Sequence, residues 1–160
     1  MIRKGFTLIE LLVVIAIIGL LSSIAVVSTN SVRDKAKIVK ANADLVQIVK
    51  QIEVARNNNN LPLISITANG CSDCNCRGKY LPTLASSDTC ITILTATFLS
   101  IGFSGLLRDP WGSPYLIDEN EMEAGACGTH DALFSAGPNG YDSIATGDDI
   151  SIEVPFFQCR

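Results

Sequence analysis

Residues able to do chemistry gather in three places along the chain. A single carboxylate, Glu10, stands at the edge of the apolar run "KGFTLIELLVVIAIIGLL". Six cysteines occupy positions 71, 74, 76, 90, 127 and 159, three of them within "CSDCNC". A Gly- and Asp-rich stretch, "FSAGPNGYDSIATGDDI", follows toward the C-terminus. An acid beside hydrocarbon seeks a cation, because insertion into a membrane helix costs about 2.5 to 3.5 kcal/mol at worst. Cysteines in even number form a disulfide framework, although Cys-x-x-Cys spacing also permits zinc. Oxygen donors on a flexible loop suit calcium better than zinc, while turn chemistry alone equally explains a solvated acidic loop. Catalysis finds little support: His130 is the sole histidine, no Ser or Cys nucleophile is placed beside it, and no GxxxxGK[ST] loop is present.

These groups need elements to hold them. From Leu11 to Val27 the chain carries no charge, close to the ~20 residues that span a bilayer, and the hydropathy of the whole averages +0.33. Arg3 and Lys4 precede that run, which keeps the N-terminus cytoplasmic and sends the remainder across. An ordinary signal peptide is the competing account, but its peptidase cuts at the far, small-residue end of the apolar stretch. Export favours disulfides over zinc, and a second Cys pair at zinc-finger spacing is missing. Cys74 and Cys76 are too close along the chain to pair with each other. Cys127 with Cys159 is a plausible bridge among fifteen connectivities. A net charge of -4, with no Lys/Arg cluster beyond residue 56, argues against nucleic acid as a partner.

Helical periodicity continues past the apolar run. Ile38, Leu45, Val49 and Ile52 recur at helical spacings and no Pro or Gly intervenes before Leu61, so one helix is expected from about Thr7 to Arg56, roughly 75 Å long. Asn57 to Asn60 and Leu61-Pro62 signal its stop. Residues 61 to 88 read as a cross-linked loop, and Thr89 to Ile101 is undecided between helix and strand. "DPWG" has the preferences of a type I turn, and "SPYLI", "DALFSA" and "DISIEV" read as three short strands of a small antiparallel sheet. That sheet is expected to bury its apolar face against Ile38, Leu45, Val49 and Ile52, giving an α+β fold.

The opening stretch resembles the N-terminal signature of type IV pilins and type II secretion pseudopilins, and "LRDPWGSPYLIDENE…FSAGPNGYDSIATGDDI" is similar to the major pseudopilins. The resemblance implies a pilin-like fold and a domain order of leader peptide 1–5, transmembrane and filament-core helix 6–30, amphipathic helix half 31–60, and extracytoplasmic globular domain 61–160. It implies prepilin peptidase cleavage between Gly5 and Phe6, N-methylation of Phe6, and pairing of Glu10 with the ammonium of a neighbouring subunit. Calcium is implied as a ligand of the Ala136 carbonyl and of the Asn139, Asp148 and Asp149 side chains, with Glu119 and Glu121 nearby. Partners would be further copies in a helical polymer, the peptidase, a membrane platform protein and an assembly ATPase. The protein would reside in the cytoplasmic membrane and then in an extracytoplasmic filament. Two departures stand out: the anchor helix has no Pro, and Asn139 replaces the family's Asp, lowering the ligand charge. A minor pilin for filament initiation or DNA uptake, and a monomeric membrane-anchored binding module, are the alternatives.

Overall fold

The computed structural model describes residues 5–123, 128–142 and 147–159, with side chains of 24–29 outside the description. Two compact units divide the chain, Met1–Ala36 and Lys37–Arg160. Helix α1 covers Leu8–Asn59 and so contributes to both. It ends where sequence chemistry asks it to: Asn60 adopts φ 52°, and the Leu61 amide returns to the Arg56 carbonyl at 3.3 Å. Asn tolerates that left-handed turn better than most side chains, which closes the helix.

In the first unit the helix surface is apolar and uncovered. Phe6 is 76% and Leu8 79% exposed, and Ile9, Leu11, Leu12, Ile15, Ile18 and Leu21 are also exposed. Among the described residues no helix is long and apolar enough to cross a membrane; the expected 6–30 segment includes the side chains 24–29.

In the second unit α1 buries a stripe of Ala41, Leu45, Ile48, Ile52 and Ala55. The alternating steps of four and three keep these on one face. The expected stripe is corrected in part: Ile38 is 43% exposed and Val49 only borders the core, while Ile48 and Ala55 take the central places.

Between α1 and the sheet lie a short helix α2 (Leu63–Thr67), a 3-10 turn at Leu81–Thr83 and helix α3 (Thr89–Ser100). The loop expected over 61–88 therefore holds two single-turn pieces. The ambiguity at 89–101 resolves as helix because Asp88 caps it, accepting the Cys90 amide at 2.8 Å. Buried Cys90, Ile91, Leu94, Thr97 and Phe98 then line one face.

Strands β1 (Leu116–Asp118), β2 (Ala132–Ser135) and β3 (Ile150–Glu153) form an antiparallel sheet in the order β1-β2-β3. Leu133 stands opposite both Ile117 and Ile152, and Ile117 and Leu133 reach the core with Leu45, Ile48, Ile52, Phe98, Tyr115 and Val154. "DPWG" forms the expected turn: Gly112 donates to the Asp109 carbonyl at 3.0 Å, while Asp109 Oδ1 accepts the Trp111 and Ser113 amides.

Candidate functional site

The helix start is built by Thr7 and Glu10. The Thr7 amide and hydroxyl both donate to Glu10 Oε2 at 2.8 Å, and the Glu10 amide donates back to Thr7 Oγ1 at 3.3 Å. This reciprocal pair is a capping box, which satisfies amides that the first helical turn leaves without partners. The T-x-x-E spacing announces it in the sequence, an intramolecular role for Glu10 beside the intermolecular one expected of it. Within the chain the box holds the carboxylate at the very end of the helix, beside Phe6. At Gly5 an added Cβ would meet nothing within 4 Å. Packing within this chain therefore does not require glycine there.

In the cysteine-rich loop, Cys71 bonds Cys74 and Cys76 bonds Cys90. Cys74 and Cys76 thus pair elsewhere, as expected. Cys71, Asp73 and Cys74 bring ligand-type atoms within 4.8 Å of one another, but the two sulfurs are joined in a disulfide, so zinc has no thiolates to bind. The Cys127–Cys159 pairing involves Cys127, which lies outside the described residues.

The acidic loop after β2 is closed by hydrogen bonds. The Asn139 amide donates to Asp148 Oδ2 at 3.0 Å, its side-chain Nδ2 donates to Asp148 Oδ1 at 2.5 Å, and its Oδ1 accepts the Tyr141 amide at 2.6 Å. Gly137 approaches so closely that a Cβ there would lie 2.3 Å from the Asp148 carbonyl oxygen. Asn139 and Asp148 are therefore brought together next to Ala136 and Gly137. Asp149 lines a cavity of about 230 Å³ with Asp73, Arg77, Asp118 and Asp142. The donors are all oxygen, which fits calcium in kind. Both Asp148 oxygens accept from Asn139.

Glu119 and Glu121 do not belong to that loop. Both are fully buried. Glu119 accepts the Ser72 amide at 2.8 Å and the Ser72 hydroxyl at 2.5 Å, and burial pushes its carboxyl up to about 7. Glu121 accepts the amides of Phe157, Gln158 and Cys159 and stands 3.3 Å from Arg56. Burial works to raise its pKa, but those amides and Arg56 together bring it below the ordinary value. Arg56, itself buried, bonds Asp131 and donates to the Pro155 carbonyl at 2.8 Å. The sequence marked Arg56 only as the approximate end of the expected helix. Its partners lie 75 and 99 positions further along the chain, beyond any local sequence signal.

A family model described as the prokaryotic N-terminal methylation motif matches residues 1–26. The type II secretion system core protein G of Escherichia coli (strain K12) is 32% identical over 93% of this chain and 90% of its own length. Proteins of the same description from Aeromonas hydrophila and Pectobacterium carotovorum subsp. carotovorum are each 29% identical over 92% of this chain, covering 90% and 83% of their own lengths. No solved structure matches it. A bare apolar helix opened by a capping carboxylate, a three-stranded antiparallel sheet and likeness along nearly the whole length agree with one another, and the chain belongs to the pseudopilin family of type II secretion system core protein G.

Proposed function

We propose that this chain is a structural subunit of a type II secretion pseudopilus, matured by cleavage between Gly5 and Phe6, methylated at Phe6, and polymerised through α1. The uncovered aliphatic surface from Phe6 to Leu21 carries this reading. Such a surface is stable in lipid or against the same surface of other copies, and the exchange between them brings little hydrophobic gain because lipid tails are as apolar as Leu. Specificity then falls to close packing and to Glu10. The capping box holds that carboxylate at the helix end, where the ammonium of a neighbouring Phe6 can reach it. The machinery that extracts subunits from the membrane would be a platform protein and an ATPase, since burial alone does not drive the step.

Mass spectrometry of the N-terminus, together with filament assembly in cells that carry the cognate secretion machinery, tests this. Glu10→Ala should still be cleaved and methylated but should not form filaments. Filaments at wild-type level from a processed Glu10→Ala chain would remove the charge pairing from the mechanism. A chain that keeps residues 1–5 in those cells would remove the pseudopilin maturation itself.

We also propose calcium as a ligand of the loop, held by the Ala136 carbonyl, Asp148, Asp149 and Asn139 through its oxygen. Bound there, the ion would stiffen the loop that now rests on Asn139–Asp148 bonding. A melting temperature unchanged between excess calcium and EGTA would remove the ion.

A further inference from the structure

We propose that the Cys71–Cys74 bridge is an exposed thiol–disulfide exchange site whose partner is a dithiol oxidoreductase. The two described bridges differ sharply in setting. Cys76 and Cys90 are both fully buried, in a cluster with Leu81, Ile91, Leu94 and Leu116. Cys74 is exposed and Cys71 half-buried, so an attacking thiolate reaches one sulfur of that pair and neither sulfur of the other.

The surroundings also define which sulfur is attacked and which leaves. Arg77 Nη2 lies 3.6 Å from Cys71 Sγ, and a guanidinium beside a sulfur favours the thiolate. A leaving thiol of lower pKa departs faster. Asp73 Oδ1 lies 3.0 Å from the same sulfur; burial and Asp118 raise that carboxyl to about 6, so it takes up a proton only below neutral pH, and Arg77 Nε, 3.2 Å from its other oxygen, offsets its charge when ionised.

The two residues inside the ring are anchored independently of the bridge. Ser72 is bonded to Glu119 through its amide and hydroxyl, the Asp73 amide donates to the Ile117 carbonyl at 3.0 Å, and the Asp73 carbonyl accepts the Cys76 amide at 2.7 Å. Opening the Cys71–Cys74 bond therefore leaves both sulfurs close together, ready to close again.

A partner thiolate attacks Cys74 Sγ, and the electron pair of the Cys71–Cys74 bond leaves on Cys71 Sγ. The partner's second thiol, deprotonated, attacks its own sulfur in the mixed disulfide and releases Cys74 as thiolate. The partner ends as a disulfide, this chain as a dithiol, and the two protons lost by the partner appear on Cys71 and Cys74. The reverse sequence reoxidises the site.

Dithiothreitol serves as the probe on the full chain in detergent without denaturant, followed by a maleimide quench and tandem mass spectrometry. Cys71 and Cys74 should be labelled at least ~10-fold faster than Cys76 and Cys90, with the circular dichroism unchanged. Arg77→Gln should slow that labelling by about 3- to 10-fold, and Arg77→Lys should stay near the wild-type rate. Labelling of all four cysteines at one common rate, or of Cys71 and Cys74 only after the dichroism signal is lost, would overturn the site. Equal rates for Arg77→Gln and wild type would overturn the assignment of Cys71 as the leaving sulfur.

Discussion

Glu119→Gln is expected to change how stability depends on pH far more than it changes the fold. Glu119 is fully buried and takes two hydrogen bonds from Ser72, yet burial outweighs them and lifts its carboxyl from 4.5 to about 7. In the unfolded chain the group returns to its ordinary value. Because the folded value is the higher, the folded state holds the proton more firmly, and the stability this gives is fully present below pH 4.5 and lost as pH rises toward 7. The gap between the two values is about 2.5, which at ~1.36 kcal/mol for each pH unit amounts to about 3 kcal/mol. Glutamine keeps the shape and cannot ionise. Its oxygen accepts the Ser72 amide, and its NH2 donates to the Ser72 hydroxyl, whose proton turns to Thr97 Oγ1, 2.7 Å away. Urea unfolding of wild type and Glu119→Gln in the same detergent, at steps from pH 4.5 to 8, reads the difference directly. Relative to the variant, the wild type should lose about 3 kcal/mol between pH 4.5 and 7 and then stay level. A difference that stays constant with pH to within ~0.5 kcal/mol would refute the reasoning.

Other perturbations follow from the same geometry. Arg56→Met should cost about 3 to 5 kcal/mol and lower Tm by roughly 10 °C, because Glu121 and Asp131 then remain buried without their cation; a loss under ~1 kcal/mol in urea unfolding would contradict this. Asn139→Asp replaces the donor to Asp148 with a second carboxylate, so Tm in EGTA should fall below wild type and the rise on adding calcium should exceed that of wild type. Equal melting in both media would count against an ion at Asp148. Gly137→Ala places a Cβ against the Asp148 carbonyl at φ 61°, and should cost on the order of 1 to 3 kcal/mol by thermal melting; an unchanged Tm would mean the loop yields freely.

Much of the architecture was legible because its signals are local. The apolar run, the breaker at Asn57 to Pro62, the "DPWG" turn and the three alternating segments each state their own conformation, and the structure places α1, the turn and β1 to β3 there. The stripe on α1 was misjudged at Ile38 because periodicity says which residues share a face but not where the covering partner ends. Thr89 to Ile101 stayed undecided on apolar content alone, and the deciding residue was Asp88, one position outside that window. The capping box at Thr7 is equally local, because the T-x-x-E spacing alone carries it. The Arg56 network and the burial of Glu119 were not readable. Both depend on contacts between residues 47 to 99 positions apart, which no local pattern encodes.

That distance also sets a clock. Arg56 and the Pro155 carbonyl it holds are separated by 99 residues, so at about 5 to 20 residues per second Arg56 is made roughly 5 to 20 s before its last partner. During that interval the acids and amides that must surround Arg56 have yet to arrive. The network in the unit from Lys37 onward is therefore complete only when residues 155 to 159 bring their backbone groups to Arg56 and Glu121. A chain cut shortly before Pro155 would contain every helix and strand and still lack the step that locks them.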